Sequence, residues 1–324
     1  MKENTLISIV LTLYNKSPYI EETIFSIYKQ TYSNWELIIV DDCSTDWSFE
    51  IAKSFCEKLW ITKKCKFIKN EKNLWVAKTF ERWLKEAKWD WISMCDWDDI
   101  MMKNKLEENL DFCKKNHLSF CHSDLIVINK FNNIASISRA NRSWINVYNN
   151  KFNNIISHNN TTWTSIFFSK ELKKELISIW FPENVYQDWR VTAYASLKEM
   201  NIWFINKPLV YYRRCDSCIT ADKDLSNNNN KLENWKELIR KEISISQYII
   251  EHLGKSLNNK KLKWIETNYI ANTTLLKFLN SMEISKFLTL MRIIFLKKFE
   301  YSFIYKSLVT CIRCFIRNYK LKNE

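Results

Sequence analysis

Glycine is nearly missing from this chain. One residue, Gly254, stands among 324, where average usage would place roughly 23. A chain this poor in glycine has no glycine-rich phosphate cradle, so any phosphate it recognises must be met by side chains or a bound cation. Long apolar runs are missing too. No segment reaches about 18 uninterrupted apolar residues, so no bilayer-spanning helix is expected. The run Leu6–Leu13 is short, is followed by Asn15 and Lys16, and has no small-residue cleavage site, so no secretory signal is expected. Histidine is scarce: His117, His122, His158 and His252 show no metal-ligand spacing, and each is expected to be structural or on the surface. His122, beside Ser123 and Asp124, is the one that could approach a site.

What is abundant is tryptophan, with 15 residues, and lysine, which takes the formal charge to +13. Such an excess fits nucleic acid, an anionic membrane surface or phosphate-bearing substrates, or plain compositional drift toward Lys, Asn and Ile. Ten cysteines invite a disulfide or zinc reading. Their spacing is not that of a small disulfide framework. The two CxxC pairs, Cys215/Cys218 and Cys311/Cys314, lie far apart, so free thiols in a reducing cytosol are the default. Apolar residues at 46% suffice for a core, and charged residues at 26% argue against wholesale disorder.

The first hundred residues alternate. ISIVLTL (7–13), ELIIVDD (36–42), KFIK (66–69) and WISMC (91–95) read as strands. Helical spacing fills 18–30, 46–58 and 76–87. This order predicts an α/β architecture with a mostly parallel sheet flanked by helices. A helix near 103–115 follows, then strands at 119–128 and 163–168, a helix at 188–199, and two short strands at 203–205 and 209–213. The aperiodic run DKDLSNNNNK predicts a division into a domain over 1–221, a linker over 222–231 and a helical, basic region over 232–324. From Lys286 onward nine Lys or Arg face two Glu at helical spacing. That is either a membrane-surface amphipathic helix or a helical cap with solvated charges.

Ligands of open α/β sheets bind beyond the carboxyl ends of the strands. Here the chain places Asp41 and Asp42, and again Asp96, Asp98 and Asp99. One acid at a strand end could cap a helix, as Asp46 is expected to do. Three within four residues repel unless something positive sits among them. A hard divalent ion, Mn²⁺ or Mg²⁺, shared with phosphate oxygens would satisfy them.

The chain resembles a family 2 glycosyltransferase of the GT-A type. The resemblance rests on SIVLTLYNKSPYIEETIFSIYKQTYSNWELIIVDDCSTDWS (8–48), NEKNLWVAKTFERWLKEAKWDWISMCDWDDI (70–100), NTTWTSIFFSKEL (160–172) and QDWRVTAYASLKEMNIWFINKPLVYYRR (187–214). It covers most of residues 5–220 and leaves the last hundred uncovered. It implies a metal-dependent, inverting transfer of a sugar from a nucleotide diphosphate donor, a UDP-sugar by family habit, to a glycan or lipid-linked acceptor. Carried over position by position, Thr12 and Tyr14 would line the base pocket, and Asp42 would accept a hydrogen bond from base or ribose. Asp96 and Asp98 would form the DxD element, Asp98 on the metal and Asp96 on ribose or sugar, with Asp41 and Asp99 supporting. Asp188 matches the general base, as inversion requires of a carboxylate facing the acceptor hydroxyl. Its bland alternative is an N-cap. Cys215 stands where many members have histidine, so Arg213 and Arg214 would supply the positive charge.

The departures from the family are tryptophans. Trp47, Trp75, Trp83, Trp89 and Trp163, and with them Trp97, Trp180 and Trp203, fall where the family has glycine, whereas Trp35, Trp91 and Trp189 fall where aromatic residues are normal. Tryptophan takes over neither the positive φ nor the close approach of glycine. The pattern is explained if a UGA codon is read as glycine in the source cell and written as Trp in translation. Real tryptophan at 75 and 97 would block the donor site. The expectation is a cytoplasmic enzyme able to lie on the inner face of the cell membrane. Its rivals are an inactive scaffold of the same fold and a basic nucleic-acid-binding protein. The latter has no recognisable reader module, and its strand-end acids would repel phosphate.

Overall fold

A computed structural model describes residues 5–86, 90–142, 152–157, 161–177, 184–214 and 228–281. Two compact units are formed, Met1–Asp222 and Lys223–Glu324. The first begins with the expected alternation: β1 (Ile7–Leu13), α1 (Ile20–Tyr28), β2 (Trp35–Asp41), α2 (Ser48–Lys58), β3 (Cys65–Lys69), α3 (Trp75–Glu86) and β4 (Trp91–Asp96). Next come β5 (Ile100–Met101), α4 (Lys105–Lys115), β6 (Phe120–Asn129), β7 (Ile134–Ser136), α5 (Arg139–Arg142) and α6 (Phe152–Ser157). The unit closes with β8 (Ile166–Ser169), α7 (Lys170–Ile177), α8 (Gln187–Leu197) and β9 (Ile202–Arg214).

The strands form one sheet in the order β3-β2-β1-β4-β8-β6-β9-β5, with β7 paired on β6. Strands β1 to β4 are parallel neighbours, as β-branched runs buried on both faces require. Beyond β4 the sheet is mixed: β8 is antiparallel to both β4 and β6, while β6 and β9 run parallel. Ile7, Ile9 and Leu11 of β1 are completely buried, as are Ile20, Ile24 and Ile27 of α1. Each such side chain contributes about 1.5–3 kcal/mol of burial. Helix α2 turns Phe49, Ala52 and Cys56 inward at helical spacing.

Three expectations need correction. The two short strands at 203–205 and 209–213 are a single strand, β9, because bulges opposite Ser123, Asp124 and Leu125 absorb Pro208 without ending the ladder. Asn228–Lys231, read as linker, are the first turn of a helix, α9 (Asn228–Tyr248). Asp46 lies one residue before the cap position of α2. Its Oδ1 accepts the Ser48 N–H at 3.1 Å and its Oδ2 the Ser17 N–H at 2.9 Å.

In the second unit, α9 packs with α10 (Asn259–Ser281) through a π-turn at Ile249–Leu253. Glu242 is buried there and accepts the Asn272 amide at 2.8 Å; burial holds its carboxyl well above the ordinary range. No described helix is long and apolar enough to cross a membrane. The basic segment from Lys286 lies outside the described residues, as do both CxxC pairs. The six described cysteines are unpaired thiols.

Among the described residues, left-handed backbone falls on residues with side chains: Asn15, Cys43, Trp47, Trp60, His117, Asn132 and Glu199. Gly254, by contrast, is right-handed, with φ −55°. Trp60 occupies the residue after the C-cap of α2. Its N–H reaches the Glu57 carbonyl at 3.0 Å, and the Ile61 N–H reaches the Cys56 carbonyl at 3.1 Å. That pair of bonds is the Schellman closure, which favours glycine at this place. The Trp60 ring is 93% exposed, so no packing offsets the strain of φ 58°. Trp60→Gly should therefore stabilise the protein by about 1 kcal/mol. Trp35→Gly, which empties a core site only 5% exposed, should cost about 4 kcal/mol. Thermal unfolding of both variants checks the opposite signs.

Candidate functional site

The register of the parallel strands fixes the site. Thr12 of β1 pairs with Val40 of β2 on one side and with Asp96 of β4 on the other. Leu13 pairs with Asp41, and its carbonyl accepts the Asp42 N–H at 2.8 Å. Thr12, Asp41, Asp42 and Asp96 thus stand at the carboxyl ends of three neighbouring strands. Tyr14, one residue past β1, is 43% exposed, so its ring is open to a ligand.

The two acids after β2 divide their work. Asp41 is fully buried, and its Oδ2 accepts the Ser44 N–H at 3.0 Å, which makes the turn into α2. Burial raises its carboxyl above the ordinary range, with Ser44 pulling the other way. Asp42 is held from the neighbouring loop: its Oδ1 accepts Asn70 Nδ2 and the Leu74 N–H, each at 2.8 Å. Asn70 is itself tied to Thr79 Oγ1 at 2.9 Å and to Arg82. Sequence reading did not single out Asn70. Its signal is that it directly follows β3, next to the ligand end of β2, with its N–H donated to the Asp41 carbonyl.

The acids after β4 form the charged centre. Asp98 and Asp99 are 5% and 0% exposed, and Asp96 is half-buried. Burial raises all three carboxyls. Asp98 is pushed up to about 7 despite the positive charges of Lys16 and Arg213. Asp96 and Asp99 lie well above the ordinary range, raised next by their acidic neighbours. Asp188 is among those neighbours of Asp96, so α8 brings it into the field of the β4 acids. The N-cap of α8 is Tyr186, and Asp188 lies in the first helical turn, accepting the Trp189 N–H at 2.9 Å. A capping role therefore does not account for its place.

Two cations answer this cluster. Arg213, 2% exposed, is a bolt. Its backbone N–H goes to Asp99 Oδ1 at 2.8 Å and its Nε to the Asp98 carbonyl at 2.7 Å. Its Nη2 pairs with Glu22 Oε2 at 2.6 Å, and its guanidinium covers the Tyr19 ring at 4.7 Å. The resemblance has Arg213 supplying positive charge here; in the structure its donors are engaged by the acid loop and Glu22, and its charge acts on Asp98. Arg214 is exposed. Lys16, in the loop after β1, lies over the Trp97 ring at 4.2 Å within the field of Asp98. Burial lowers its ammonium, and Asp98 and Asp46 oppose that. The signal in sequence is its place in the loop after β1.

Trp97 has ordinary backbone and its carbonyl accepts the Thr23 hydroxyl at 2.9 Å. The Trp75 side chain and all of Trp89 and Trp180 lie outside the described residues. Trp83 and Trp163 pack against Phe80 in an aromatic cluster, with centroids 4.9 and 5.6 Å from its ring, and the buried Trp83 indole N–H has no partner. Trp189, by contrast, donates its indole N–H to the Ile155 carbonyl at 2.8 Å, and Trp91 stacks on Phe167 at 5.0 Å.

The model of glycosyl transferase family 2 matches residues 8–176. An Escherichia coli relative, "UDP-Glc:alpha-D-GlcNAc-diphosphoundecaprenol beta-1,3-glucosyltransferase WfgD", is 32% identical over 127 residues, 39% of this chain and 48% of that protein. The chain spans about half the length of the curated relatives it matches. Among solved structures, S. aureus TarS 1-349 in complex with UDP-GlcNAc superposes with TM-score 0.56 at 18% identity, over 88% of this chain and 90% of that one. The Pyrobaculum calidifontis mannosyltransferase PcManGT, in complex with GDP-Man and Mn²⁺, gives 0.56 at 13% identity over 95% and 79%. At such identities the likeness is one of fold.

The buried acids make a stability prediction for the metal-free protein. A carboxyl raised in the folded state binds more protons folded than unfolded, so stability is lost as pH rises from the unfolded value through the folded one. For Asp98 that window runs from 3.8 to about 7. Metal-free protein should lose on the order of 4 kcal/mol to Asp98 between pH 4 and pH 8. Asp98→Asn should flatten the pH profile of the unfolding midpoint.

Proposed function

The chain belongs to glycosyl transferase family 2 and has the GT-A fold, and from that premise we propose that it transfers a sugar from a nucleotide diphosphate donor to a hydroxyl of a glycan or lipid-linked acceptor, with inversion. One observation carries this reading: the acids at the ends of β2 and β4 and Asp188 of α8 meet at the ligand-binding end of one sheet. The donor's base and ribose lie over Thr12, Tyr14 and Asp42, and Asp42 is already oriented by Asn70 and the Leu74 N–H.

A divalent cation fits the oxygen set beyond β4. Asp96 and Asp98 would hold it, hard ligands for Mn²⁺ or Mg²⁺, with Asp99 and Arg213 setting the loop behind them. No group of three His, Cys, Asp or Glu among the described residues is arranged to hold a metal ion, so phosphate oxygens of the donor would have to complete the coordination. When bound, the ion neutralises charge on the leaving diphosphate. Lys16 contributes a second positive charge on the same side. Asp188 takes the proton of the acceptor hydroxyl as it attacks the anomeric carbon opposite the diphosphate.

Asp188→Ala should cut transfer by about 10²–10⁴-fold and leave donor binding intact. Asp98→Ala should abolish Mn²⁺-dependent donor binding, read by calorimetry. Unaltered turnover in both variants would overturn the reading, and a wild-type protein that binds the donor but never turns it over would be the inactive scaffold.

The reading includes glycine at many written tryptophans, encoded by UGA. Trp47 and Trp60 support it, with φ of 66° and 58° and rings 71% and 93% exposed, as does the orphaned Trp83 indole. In the source gene, positions 47, 60 and 83 should carry UGA, while 35, 91 and 189 carry UGG. Intact mass of the native protein should fall below that of the written sequence by one indolylmethyl group for each such position. A mass equal to the written sequence refutes it.

A further inference from the structure

The loops that follow β1 and β2 are tied together by side chains. After β1, three successive backbone N–H groups are satisfied from the other loop. Asn15 donates to Ser44 Oγ at 3.0 Å, Lys16 to Ser48 Oγ at 2.8 Å and Ser17 to Asp46 Oδ2 at 2.9 Å, across 29 to 32 residues of chain. In return, the Thr45 N–H donates to Asn15 Oδ1 at 2.8 Å. Asn15 is left-handed, with φ 51°. Successive amides around such a residue form a concavity that suits negative charge. Here Asp46 of the same chain supplies that charge.

Asp46 controls more than the bond it makes to Ser17. Its Oδ1 accepts the Ser48 N–H at 3.1 Å and the Ser48 hydroxyl as well. A serine hydroxyl has one proton to give. With that proton on Asp46, the Ser48 oxygen is left as the acceptor for the Lys16 N–H. Ser48 is completely buried, so bulk water does not compete for it. Burial pushes the Asp46 carboxyl up, but the bonds from Ser48 and Ser17 outweigh this and hold it below the ordinary range. It is therefore ionised and only accepts. The hold on the β1 loop is divided: Ser44 and Thr45 fix Asn15, beside Tyr14, whereas Asp46 and Ser48 fix Lys16 and Ser17. Charge alone gives Asp46 the opposite effect. It lies in the field of the Lys16 ammonium, so its negative charge disfavours an anion there.

We propose that Asp46 is a positioning residue: through Ser48 and the Ser17 N–H it sets the backbone at Lys16, and so aims that ammonium at the diphosphate of the donor. The proposal rests on the reading of Lys16 as the second positive charge of the donor site. The test offers the full chain UDP and GDP with Mn²⁺, read by calorimetry, and the matching nucleoside, uridine or guanosine, read by saturation-transfer NMR. Asp46→Ala should weaken the diphosphate that binds by about tenfold, and by no more than Lys16→Ala does. Ser48→Ala should weaken it in the same direction by a smaller factor. The nucleoside should bind wild type and both clamp variants alike. A merely structural role would weaken nucleoside and diphosphate together, and a merely electrostatic one would tighten the diphosphate; either result overturns the proposal. Ser48→Ala removes one oxygen and keeps the result readable should Asp46→Ala misfold. Lys16→Ala separates the proposal from its premise. If it loses diphosphate affinity while Asp46→Ala and Ser48→Ala keep theirs, the proposal alone fails. If it binds as wild type does, or if wild type binds neither diphosphate, the donor-site reading fails and the proposal with it.

Discussion

Crowded negative charge at one end of the sheet is the constraint on which the rest of this molecule depends. Asp41, Asp42, Asp96, Asp98 and Asp99 are placed by β2 and β4, the two parallel neighbours of β1, in strict register, and four of the five are buried. Nothing in a hydrophobic core asks for that arrangement. Burial and mutual repulsion push the β4 acids toward their protonated forms, so in the empty protein the site holds unrelieved free energy. Protonation relieves that repulsion, and so would a cation of the kind proposed above.

The protein's own cations relieve part of the strain without filling the site. Arg213 grips the backbone of the acid loop and the side chain of Glu22, joining β9, α1 and the turn after β4. It works from the buried side, where it fixes geometry. Lys16 works from the loop after β1, lying on the Trp97 ring. An arginine bolt behind the acids and a lysine in front differ as their side chains do: a planar fork suits a set of fixed acceptors, and a flexible ammonium suits a ligand that comes and goes.

Much of this was legible in the sequence. Apolar runs of strand length located β1, β2 and β4, because a parallel strand buried on both faces has little choice of composition, and the acids closing β2 and β4 located the ligand end of the sheet. Asp188 was legible only through resemblance, since an acid in a first helical turn has an ordinary explanation in the helix dipole. Asn70, Lys16 and the contacts of Arg213 were not legible: each meets a partner far away in sequence, 28 residues from Asn70 to Asp42 and 115 from Arg213 to Asp98. The continuity of β9 was hidden by Pro208, which usually ends a strand and here sits opposite a bulge.

The left-handed residues bear on the identity of the written tryptophans. Helices α2, α4 and α8 all end in the same hydrogen-bonded closure, with Trp60, His117 and Glu199 at the left-handed position. The backbone there is dictated by the bonds that satisfy the last carbonyls, whatever the side chain. His117 and Glu199 are polar groups that an exposed turn tolerates; a 93% exposed indole at φ 58° gains nothing from packing and pays the full steric penalty. Trp189 and Trp35, in ordinary backbone, are instead buried and packed. The same residue type is thus a packed core aromatic at some positions and an exposed left-handed turn residue at others, and on that contrast the proposed glycine reading rests.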